Sequence, residues 1–221
     1  MKRLLFIMVV SAVFLSVPIY SGADTLTYNL SRVFPGKDAP DGSAPWLTAV
    51  FDDGGGTGSV TLTLTANLTG AQKVGEWDFN YLENTTADPL PLTISQTSGP
   101  TATSPIVARS DGYKADGDGS FDIQFLFDTS SANSFDNHDV AVFSITGAGI
   151  SADSFAYVSA VSGGEGIYHT AAHIQSISAP DGSTWIADGT GTPPVPEPAT
   201  LLLLGAGLAG VIPFVRRRIK R

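Results

Sequence analysis

Cysteine is absent from the 221 residues. That excludes disulfide cross-links, zinc–thiolate centres and cysteine nucleophiles, so the fold must rest on its own apolar core or on bound ions. Basic residues are scarce as well: 12 Lys and Arg stand against 21 Asp and Glu, and seven of the 12 lie at the two ends. Between Asp24 and Val195 only Arg32, Lys37, Lys73, Arg109 and Lys114 face 20 acidic residues, a formal charge of −15. A body charged in this way repels nucleic-acid phosphates and anionic lipid, and attracts divalent cations and basic partners. Nucleic acid is therefore excluded as a partner. Helical periodicity of useful length is missing before residue 195, and so are the Gly-x-Ser-x-Gly elbow and the phosphate-binding glycine loop. There is no internal repeat. The roughly 170 residues between the ends suffice for one domain that buries about 70% of its unfolded surface.

Long apolar runs occur only at the termini. Met1, Lys2 and Arg3 precede an apolar stretch, and Ser21-Gly22-Ala23 supplies the small residues that a signal peptidase cleaves after. Residues 1–23 are thus expected to form a signal peptide, a helix cut between Ala23 and Asp24. At the other end, 17 uncharged residues from Ala199 to Val215 make a helix of about 25 Å, just able to span a hydrocarbon core of about 30 Å. Pro198 suits its first turn and Glu197 its positive dipole end, while Pro213 kinks it near the far end. Arg216, Arg217, Arg218, Lys220 and Arg221 hold that end on the cytoplasmic side, placing the body across the membrane.

The order Val195-Pro196-Glu197-Pro198, apolar helix with Gly205 to Gly210, then Arg216-Arg217-Arg218 resembles a PEP-CTERM sorting signal, also labelled an ice-binding protein C-terminal motif. The resemblance implies an exported substrate of an exosortase, a membrane-embedded transpeptidase that removes the signal near the triplet. It further implies a membrane intermediate with a periplasmic body, then a place at the cell surface or in the extracellular matrix, near exopolysaccharide. The ice-binding label is a family name here, since the sequence shows no regular Thr-x-Thr array to support that activity. An ordinary tail anchor is the alternative reading of the same span.

The body reads as β structure. Val60, Leu62, Leu64, Ala66 and Leu68 alternate with Thr61, Thr63, Thr65, Asn67 and Thr69, the period of a half-buried strand with a threonine outer face. Phe121, Ile123, Phe125 and Phe127 repeat that alternation, and shorter apolar runs lie near 46–51, 74–82, 140–145, 154–158 and 167–177. Gly, Asp and Ser clusters punctuate them. About eight to eleven short strands point to an all-β antiparallel sandwich of jelly-roll type. The sequence thus divides into a signal peptide (1–23), a β-sandwich ectodomain (24–187), a Gly/Thr/Pro linker (188–194) and the sorting signal (195–221).

Chemistry is sparser. Asp111, Asp116, Asp118, Ser120 and Asp122 in DGYKADGDGSFD alternate oxygen ligands as a calcium loop does, but Phe121 replaces the turn glycine of an EF-hand and no bidentate Glu follows. The alternative is a hairpin turn carrying acids for solubility. Asp136, Asn137, His138 and Asp139 pose the same choice. His169 and His173 share a strand face about 13 Å apart, too far for one metal ion. Glu76-Trp77-Asp78 resembles the first half of the acidic motif of laminarinase-like jelly-roll glycoside hydrolases, yet Asn80 stands where the second Glu belongs, removing the proton donor. Trp46, Trp77 and Trp185 serve either as core or as sugar-stacking platforms. These features describe a non-catalytic surface or matrix protein, with calcium as a possible stabiliser. The alternative is a carbohydrate-binding module on exopolysaccharide.

Overall fold

The computed structural model describes residues 24–189, apart from 35, 83–86, 104–105, 117, 131 and 163–165. The signal peptide, most of the linker and the sorting signal, with their two expected helices, lie outside the described residues. Among the described residues no helix is long and apolar enough to cross a membrane.

Twelve strands follow in order: β1 (Thr25–Leu30), β2 (Arg32–Phe34), β3 (Leu47–Asp52), β4 (Ser59–Ala66), β5 (Lys73–Phe79), β6 (Thr93–Ser98), β7 (Tyr113–Ala115), β8 (Asp118–Phe121), β9 (Ile123–Leu126), β10 (Val140–Thr146), β11 (Thr170–Gln175) and β12 (Ser183–Ala187). Sheet A has the order β1-β3-β4-β10-β6 and sheet B the order β2-β12-β11-β5-β9, all pairs antiparallel. At Ser31, whose N–H donates to the Ala187 carbonyl at 3.1 Å, the chain passes from sheet A into sheet B. The chain crosses repeatedly between the two sheets, while the hairpins β3–β4 and β11–β12 each keep successive strands side by side.

Alternation explains the layers. In β4 the buried Val60, Leu62, Leu64 and Ala66 point inward and the intervening Ser and Thr outward. The inner faces of both sheets share one core: Phe51 of β3 meets Phe79 of β5 edge-on at 5.4 Å, and Phe125 of β9 lies 4.6 Å from Phe143 of β10. With no disulfide available, such fully buried aromatics carry the hydrophobic stabilisation, each contributing 150–250 Å² of area at about 25 cal/mol per Å². A second, smaller core lies on the outer face of sheet B, where Phe34, Phe121, Tyr168, Ala171 and Trp185 are buried beneath the β7–β8 hairpin.

Two expected elements differ. The alternating run from Phe121 to Phe127 is not one strand: Phe121 ends β8 in the outer core, whereas Ile123, Phe125 and Phe127 face the main one. Asp122 makes the break, because its carboxylate accepts the Tyr81 and Asp111 N–H groups, each at 2.8 Å, and turns the chain between layers. The run at 154–158 overlaps a short 3-10 helix, Ala152–Phe155, whose first turn is closed by the Ser151 and Ser154 capping box.

Candidate functional site

The acidic loop resolves into individual tasks. Asp111 and Asp116 occupy left-handed turn positions with φ of 51° and 49°, which Asp tolerates better than most residues. Asp118 and Ser120 are buried in β8, and Asp122 braces two backbone N–H groups. Burial, the largest influence, raises the Asp122 pKa against those two hydrogen bonds. Gly119 has a structural reason of its own: at φ +67° a Cβ there would lie 2.6 Å from the Ser159 hydroxyl. Among the described residues no group of three or more His, Asp or Glu side chains is arranged to hold a metal ion. Asp136, the first residue of the second acidic group, likewise serves its own turn, receiving the Ser134 hydroxyl at 3.0 Å.

Both histidines have separate partners. The His169 imidazole lies 2.7 Å from the Asp188 carboxylate and stacks on Tyr28 at 5.0 Å. His173 stacks on Trp185 at 5.1 Å, where burial, then the Lys37 charge, depresses its pKa. Tryptophan is not presented for stacking on a ligand: Trp46, Trp77 and Trp185 are 7%, 0% and 7% exposed. All phenylalanines among the described residues are buried too.

Glu76, Asp78 and Asn80 alternate with the inward Trp77 and Phe79 and so share the outer face of sheet B. Asn80 donates to the Tyr168 and His169 carbonyls at 3.0 and 2.9 Å, a structural use of the position where a hydrolase would carry its acid. Asp78 is completely buried. It faces Glu76 closely enough to exchange a hydrogen bond when one carboxyl is protonated, and the Gln124 amide lies beside it, but neither Asp78 oxygen has a donor in good hydrogen-bonding geometry. Burial first, then the neighbouring Glu76 charge, pushes the Asp78 pKa well up, and burial raises that of Glu76. Gln124 of β9, opposite Asp78, donates its amide to Glu76.

Sheet A presents a different surface. Thr27, Val50, Thr63 and Val142 stand side by side across β1, β3, β4 and β10; Asn29, Thr48, Thr65 and Val140 form the next row, and Thr25, Asp52, Thr61 and Ser144 another. None of these 12 residues is buried, and Asp52 alone is charged. In an ordinary sheet such side chains repeat about 4.8 Å across strands and about 6.7 Å along them. The sequence showed only the β4 threonines; their cross-strand neighbours come from three separate segments.

The tail is decided by comparison with known families. Residues 194–221 match the family profile described as PEP-CTERM protein-sorting motif. The tail is a PEP-CTERM sorting motif. It contains Val195, Pro196, Glu197, Pro198, Arg216, Arg217 and Arg218, the residues singled out above, and lies beyond the described residues. The PEP-CTERM motif implies an exported protein that an exosortase processes and sorts to the cell surface. No curated protein and no solved structure matches the chain. The β-domain therefore has to be read from its own surfaces.

Proposed function

We propose that this is a non-catalytic protein of the cell surface or extracellular matrix, exported through a membrane-anchored intermediate and held against exopolysaccharide by the outer face of sheet A. The PEP-CTERM motif carries the export and sorting part of this reading. The uncharged face supports the rest. In a body of formal charge −15, a field of Thr, Ser and Val with one carboxylate offers hydroxyl donors and acceptors beside methyl groups, and no ions to desolvate. A neutral, hydroxyl-rich polymer suits such a surface, whereas the buried aromatics argue against a module that grips sugars by ring stacking. The buried Asp78 and the Asn80 at the donor position support a non-catalytic reading.

Two experiments in the native host test the two parts. Replacing Glu197 with Ala and Arg216, Arg217 and Arg218 with Gln is expected to leave the tail attached, as intact mass of the recovered protein will show; normal processing of that variant refutes the sorting role. Thr63→Glu at the centre of the sheet A face is expected to lower retention in isolated exopolysaccharide several-fold while processing and circular dichroism stay normal. Unchanged retention refutes the contact face.

A further inference from the structure

The outer face of sheet B holds an arrangement that neither the sorting motif nor the contact face uses. Glu76 and Asp78 project from alternate positions of β5, with Gln124 of β9 opposite Asp78. Among the described residues no Lys or Arg forms an ion pair with either acid; the Arg109 pair goes to Asp88. Glu76 and Gln124 lie beside the wholly buried Asp78 carboxyl, yet neither of its oxygens has a donor in good hydrogen-bonding geometry, and Glu76 is only partly covered. A buried carboxyl without a well-placed donor is satisfied by a cation, a water or a proton. The three side chains offer the oxygen donors that hard cations take, carboxylates and a Gln amide carbonyl, because rotation of the Gln124 amide exchanges the nitrogen now facing Glu76 for its oxygen.

We propose that Glu76, Asp78 and Gln124 bind one hard divalent cation, of calcium type, on the outer face of sheet B beside the β7–β8 hairpin. Water entering from the Glu76 side completes the shell, as is usual for oxygen-liganded cations. The site differs from the 111–122 loop, whose Asp122 carboxylate is already occupied by two backbone N–H groups.

The test is calorimetric titration of calcium chloride into the mature protein from its host, stripped with chelator. One saturable site is expected. Asp78→Asn and Glu76→Gln should each weaken binding at least tenfold, and Asp111→Asn and Asp116→Asn should leave it unchanged; circular dichroism checks that each variant is folded, and the partly exposed Glu76 provides a reading if Asp78→Asn fails to fold. Absence of saturable heat from the folded protein overturns the proposal and leaves a proton-sharing pair. So does binding that survives Glu76→Gln, or binding lost in Asp111→Asn or Asp116→Asn. Weak heat that is the same for magnesium and for all variants also overturns it, because it reports the overall charge.

Discussion

Replacing Asp122 by alanine separates a structural carboxylate from a calcium ligand. Its two oxygens accept the N–H groups of Tyr81 and Asp111, each at 2.8 Å, and the side chain is 8% exposed. Alanine leaves both donors without partners, at about 1–3 kcal/mol each, so the gross loss is about 2–6 kcal/mol. The loss is partly offset, since burial disfavours the ionised Asp122 enough to raise its pKa despite both hydrogen bonds. A group whose folded pKa is raised contributes most below its unfolded value and loses that contribution as pH rises through the folded value. The deficit of the variant should therefore grow as pH falls through the raised Asp122 value toward the ordinary carboxylate range. Near neutrality a net loss of about 2 kcal/mol is expected, equivalent to a fall in Tm of roughly 4–8 °C for a domain of this size. Urea and thermal unfolding followed by circular dichroism, with calcium and with chelator, measure it. A loss under about 0.5 kcal/mol refutes the bracing role, because it is no larger than an ordinary surface change. A deficit seen with calcium and abolished by chelator also refutes it, since Asp122 would then act through the ion.

The two cores should respond differently to truncation. Phe143→Ala, in the wall shared by both sheets, should cost about 3–5 kcal/mol globally. Phe121→Ala, in the outer core, should cost less globally and speed amide exchange in the β7–β8 hairpin; equal global losses would mean that the hairpin is not a separable layer. Asp53 accepts the Gly55, Asp24 and Ala152 N–H groups at 2.8, 3.1 and 3.2 Å, and its pKa is lowered, chiefly by the Gly55 hydrogen bond. Its stabilisation is present above the ordinary carboxylate range and is lost as pH falls through the lowered value. Asp53→Asn should therefore lower Tm near pH 7, with the difference from wild type vanishing at strongly acidic pH; a difference independent of pH contradicts this.

What could be read along the chain depended on how local each signal was. Strand β4 was legible because its inward and outward residues alternate without interruption. The same rule misled at Phe121 to Phe127, where the apolar period continues through Asp122 while the hydrogen bonding changes layer. Strands β1, β6 and β12 carried little signal: the outer positions of β1 and β6 are Thr, Asn and Ser, and β12 has only five residues. The acids of 111–122 were visible as a spacing, but their use as turn residues and a brace depends on Tyr81, distant in sequence.

The sequence alone determined the sorting motif, because a Pro-Glu-Pro triplet, an apolar run and a basic end follow one another in a single short segment and can be recognised apart from folding. Tertiary structure decided everything that requires partners. Glu76 meets Gln124 across 48 residues, and Thr27, Val50, Thr63 and Val142 become one row only when four strands pair. The physical reason is register: strand pairing places residues from distant segments a few ångströms apart, and no single segment carries that information.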